Sequence, residues 1–146
     1  MGGTLIFSAI DIARLERAVG RLLEVWRADG LSLRAGATEV CLRNAAERLG
    51  LALPRELHLY LSIIDGQDPA DDSRVRHDRI TFWTSCELEI SDWDRQAIVF
   101  ADYMIRSDQL SIHSQTGAVY SGSRQLHSSL TEYIEAYLTL IGDVAV

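Results

Sequence analysis

The chain has 146 residues, 47% of them apolar and 24% charged, with a formal net charge of −7. That is the profile of an ordinary soluble protein, sized for one domain over residues 1–146 that buries about 68–70% of its unfolded surface. The acidic balance excludes a protein that coats nucleic acid, because phosphate binding draws on clustered Lys and Arg, and it turns the expectation toward a basic partner.

All fourteen cationic residues are arginine. Without lysine there is no phosphate-loop lysine, no Schiff-base lysine and no Ser-x-x-Lys pair, so several enzyme classes fall together. The N-terminal stretch MGGTLIFSAIDIARLERAV lacks the basic region and long apolar core of an export signal. No membrane anchor or spanning segment is expected, and the expected location is cytoplasmic.

In chain order, Ile12, Leu15, Val19, Leu22 and Trp26 recur at the three-four spacing of one helix face, predicting a first helix between Ser8 and Gly30. Ser8 with Asp11 resembles a capping pair, and Gly30 suits the residue after the last turn. Thr38 caps a second helix over 39–49, with Val40, Ala45 and Leu49 inward and Gly50 as its stop. Pro54 fits the first position of a third helix, whose buried side is Leu57, Tyr60, Leu61 and Ile64.

Residues 66–79 are polar and aspartate-rich and read as an exposed loop. The period then changes to two, predicting strands at 80–84, 97–103, 110–113 and 118–121, with a turn or short helix near 87–95 and hairpin turns at Ser107-Asp108 and 115–117. Ser129-Leu130-Thr131-Glu132 is a capping box opening a last helix, with Tyr133, Ile134, Tyr137, Leu138 and Ile141 inward and Gly142 as a stop. Helices, then a strand meander, then a helix make an α+β domain, with the helices covering one face of a largely antiparallel sheet.

Little in the chain is arranged for chemistry. His58, His77, His113 and His127 show no metal-ligand spacing, and the Asp65, Asp68, Asp71, Asp72 run lacks the offsets of a calcium loop. No cofactor or metal is expected and no catalytic residue stands out. His77-Asp78 is the one dipeptide that a phosphohydrolase site uses, and its other ligands are missing. Cys41 and Cys86 read as buried free thiols. Trp26 reads as core, one of Phe82 and Trp83 as facing the helices, and Trp93, between Asp92 and Asp94, as the exposed aromatic.

Four ordered stretches, "LALPRELHLYLSIIDGQD", "ITFWTSCELE", "IVFADYMIRSDQLSIHSQTGAVYSG" and "SSLTEYIEAYL", resemble the SUKH superfamily (Smi/Knr-like domain), which includes fungal cell-wall regulators and many bacterial immunity proteins. The resemblance is strongest over 36–140. Leu53-Pro54, Asp65-Gly66, Phe100-Ala101-Asp102, Gly117-Ala118-Val119-Tyr120 and Ser129 to Tyr133 occupy the family's motif positions. The family often has Asn-Gly-Gly after its third helix and Gly-Asp before the sheet hairpin, where this chain has Asp65-Gly66-Gln67 and Ser107-Asp108. The resemblance implies a binding scaffold without catalysis. In bacterial members it implies neutralising a cognate toxin, often a nuclease, inside the producing cell. On that footing the expected partner is a basic toxin domain, and the expected contact residues are Asp65, Asp68, Asp71, Asp72, Asp78 and Trp93. The alternatives are a regulatory module binding a cellular protein and a small enzyme.

Overall fold

The computed structural model describes residues 9–69, 80–103 and 108–141. Within them the order is α1 (Ala9–Ala28), β1 (Leu33–Ala35), α2 (Glu39–Leu49), α3 (Arg55–Ile63), β2 (Ile64–Gln67), β3 (Ile80–Phe82), β4 (Glu89–Ile90), β5 (Ala97–Tyr103), β6 (Asp108–His113), β7 (Val119–Ser121), β8 (Arg124–His127) and α4 (Leu130–Leu140). The main sheet runs β3-β5-β6-β7-β8, with β4 also on β5, and every pairing is antiparallel. A separate ribbon joins β1 to β2. The architecture is α+β, with α4 packed on the sheet.

The helix ends follow local chemistry. Thr38 Oγ1 accepts from Cys41 N–H at the start of α2, and Gly50 closes it in the left-handed conformation. Pro54 stands at the N-cap of α3 rather than inside it. Ser129 Oγ accepts from Glu132 N–H, while Glu132 Oε1 accepts from the N–H and hydroxyl of Ser128. These two bonds hold the Glu132 carboxyl below its usual range. A second carboxylate reaches the same helix end from α3: Glu56 accepts from the N–H groups of Leu130 and Thr131. Two acids therefore meet the positive end of α4. The proposed cap at Ser8 and stop at Gly142 lie outside the described residues.

One aromatic ring organises the core. Phe82 packs edge-on to Trp26 at 5.0 Å and to Tyr137 at 5.1 Å, with Tyr60, Phe100 and Tyr133 each at 6.3 Å. Trp26 Nε1 donates to Tyr137 Oη at 3.3 Å, so α1, α4 and β3 meet at one buried point. On the outside, the Arg14 guanidinium grips the Glu135 carboxylate at 2.6 and 3.0 Å, which raises the Arg14 pKa.

The sheet phase depends on a bulge. Val99 pairs with Ser111 and Ala101 with Leu110, leaving Phe100 as an extra residue. Phe100 and Ala101 both belong to the helix-side core, and Asp102 is thereby turned to the opposite face. There its Oδ2 accepts from Trp83 Nε1 at 2.6 Å. Phe82 and Trp83 thus divide the two faces as alternation requires, and both are buried.

Four expectations need correction. Residues 64–67 are a fully buried strand rather than the end of a helix followed by exposed loop. Val40 is 56% exposed, and Leu42 takes the inward place, because Leu42, Ala45 and Leu49 keep the three-four helical spacing while Val40 lies five residues before Ala45. Cys41 and Cys86 are exposed, one in the first turn of a helix and the other in a tight turn, where neither has core to enter. Part of the expected turn at 87–95 is the strand β4, paired with β5.

Candidate interaction surface

Asp65 begins in sequence as a loop carboxylate, yet only 6% of it is exposed. Its Oδ1 accepts from Ser85 N–H at 2.6 Å and its Oδ2 from the Ser85 hydroxyl at 3.2 Å. Gly66 beside it has φ +69°, and a Cβ there would lie 2.4 Å from the Trp83 carbonyl oxygen. The next residue, Gln67, is fully buried and its Oε1 accepts from Phe82 N–H. β2 therefore seals the outer edge of β3, and Asp65 is part of that seal instead of a contact charge. Asp68 is half-buried, with its N–H on Ser32 O. Asp71, Asp72 and Asp78 lie outside the described residues, as does His77.

Trp93 is 67% exposed. It sits in the turn between β4 and β5, where its N–H donates to Ser91 Oγ. Its indole lies against Gly122, with ring atoms 3.5 Å from where a Cβ would be. Gly122 is in the β7–β8 turn with φ +58°, a backbone conformation that favours glycine, while the indole beside it would leave room for a Cβ at ordinary contact distance.

Ser121 and Arg124, flanking that turn, both line an apolar groove of about 370 Å³ between the sheet and α4. Leu126, Tyr133, Tyr137 and Leu140 form its walls, and Leu140, 76% exposed, and Tyr103, 40% exposed, are the large apolar groups left open to solvent there. An exposed indole and an apolar groove thus adjoin the same hairpin.

The three described histidines hold structure. His113 Nδ1 accepts from the N–H groups of Gln115 and Thr116, and its Nε2 lies 3.8 Å from an Asp94 oxygen. His58 lies 3.3 Å from Glu39, and His127 meets the Tyr133 ring edge-on. Among the described residues no group of three or more His, Cys, Asp or Glu could hold a metal ion, and no helix is long and apolar enough to cross a membrane.

Sequence reasoning passed over Gln67, Arg124, Leu140 and Tyr103. Gln67 and Arg124 show no periodic signal, because the partners that give them meaning are distant in sequence. For Leu140, whose neighbours Leu138 and Ile141 were placed inward, the helical spacing itself marks the outward side. No protein-family model matches the chain, and no curated protein matches it.

Proposed function

We propose that the chain is a non-catalytic protein-binding domain of SUKH type that binds and neutralises a toxin domain in the cytosol of the cell that makes it. The observation that carries the binding is Trp93, a large aromatic open to solvent in the β4–β5 turn, against the β7–β8 turn whose flanking residues line an apolar groove. Binding energy concentrates in such aromatic anchors. The toxin reading comes from the resemblance, and it is supported by where the resembling stretches fall: Gly66, the Phe100 bulge, the Gly117 turn with φ +76° and the Ser129 cap are joints of one sheet-and-helix scaffold. Residues of that kind specify a platform and leave its outer surface free to vary. The net charge of −7 favours encounter with a basic partner.

The test is neutralisation by the pure protein. A toxin domain encoded beside this gene should lose its activity on mixing with the chain and form a stable complex. Trp93→Ala should raise the dissociation rate, costing about 2 kcal/mol or more of binding, while the melting temperature stays put. Undiminished toxin activity with no complex overturns the toxin reading; a complex that forms with a cellular regulator instead favours the regulatory module.

A further inference from the structure

The outer edge of β8 offers main-chain groups that no described residue uses. Ala118 O accepts from His113 N–H and Gly122 N–H donates to Gln109 O, so these two residues point their main chain toward β6. By the alternation of an antiparallel ladder, Val119 and Ser121 point theirs toward β8. Ser121 pairs with Arg124, which turns the Arg124 main chain inward and the Gln125 N–H and C=O outward. β8 is the last strand of the sheet, and no described residue pairs with that outer edge.

Beside the edge lies the groove, lined from β8 by Arg124 and Leu126 and, past the bulge opposite Val119 and Tyr120, by His127. Among the described residues the Arg124 guanidinium is in no ion pair. Asp108 is the other charged liner. It repels a carboxylate from the β6 side and leaves the Arg124 side for one.

We propose that the β8 edge and this groove dock an extended segment of a protein partner. The segment adds to the sheet as a further strand and pairs its main chain with Gln125. It sets a large apolar side chain in the groove near Leu126, Tyr137 and Leu140, and a carboxylate on Arg124. Because side chains on one face of a strand recur every second residue, the acidic and apolar residues stand two positions apart. A groove of about 370 Å³ accommodates one aromatic side chain of that segment. A second copy of this chain fits less well: antiparallel self-pairing about Gln125 sets Arg124 opposite Leu126 and supplies no countercharge. The proposal does not depend on the partner being a toxin.

The probe is a short fluorescein-labelled peptide of threonine and serine carrying Glu and Phe two positions apart, titrated with the full chain by anisotropy. Saturable binding is expected, weakened about tenfold or more by Arg124→Glu, which should in turn prefer the same peptide with Lys in place of Glu. Gln125→Pro, which removes an N–H that the ladder does not use, should weaken binding without lowering the melting temperature. In the unmodified protein the Gln125 amide should exchange more slowly when the peptide is bound, a readout independent of any variant. No saturable binding, equal affinity for the Glu and Lys peptides, or unchanged Gln125 exchange each overturns the proposal. So does a dimer by sedimentation that the peptide does not dissociate. The toxin experiment stands or falls separately, since it uses neither peptide nor β8 variants.

Discussion

The two edges of the main sheet are treated in opposite ways. At β3 the outward N–H of Phe82 is met by a buried side-chain amide, and the strand beside it is fixed by a carboxylate on Ser85 and a glycine against the Trp83 carbonyl. At β8 no described residue pairs with the outward main chain, and an apolar groove lies next to it. A sheet edge is a template for another chain, and closing one edge with four consecutive buried residues while no described residue covers the other is the contrast on which the proposed docking at β8 rests.

The strongest way to break the closed edge is Gly66→Ala. The added methyl would sit 2.4 Å from a backbone oxygen at φ +69°, and we expect a loss of about 3 kcal/mol or more, read from the denaturant midpoint. An unchanged midpoint would show that β2 can move aside. Asp65→Ala is milder, costing about 2 kcal/mol by stranding the Ser85 N–H. Trp93→Ala, on the open side, should shift stability by about 0.5 kcal/mol or less. Equal losses in these two variants would erase the contrast between a structural and a contact residue.

The smallest effect concerns the link from β8 into α4. Glu132, held below its usual pKa by its two bonds from Ser128, contributes stability that is present above the ordinary carboxylate range and lost as pH falls through its folded pKa. Melting temperatures from neutral pH downward should show the parent protein ahead of Glu132→Gln, with the gap closing below about pH 4. A gap independent of pH would mean that the charge is not what holds this joint.

Much of the scaffold was legible because it is written in local periodicity. Thr38 and Gly50 bracket α2 at its observed limits, and Ala97 to Tyr103 is a run long and apolar enough to mark a full strand. The short strands were not legible: Ile64–Gln67 is buried on all four residues and shows no alternation, and Glu89–Ile90 is too brief to show any. For the same reason Asp65 looked like a surface charge, since its burial is created by Ser85, twenty residues on. Trp93 was legible as exposed because acids flank it. The groove was not, being made by five strands and a helix that meet only in the folded chain.

The ring of Phe82 gathers Trp26, Tyr60, Phe100, Tyr133 and Tyr137 from across the sequence. Contacts of such long sequence separation cannot form by local zippering, and they place this domain among slower folders, in the millisecond-to-second range. On a ribosome the consequence is sharper. Until Tyr137 has left the exit tunnel, the faces of Phe82 and Trp26 that it covers stay open, so the nascent chain carries exposed aromatic surface until α4 has emerged.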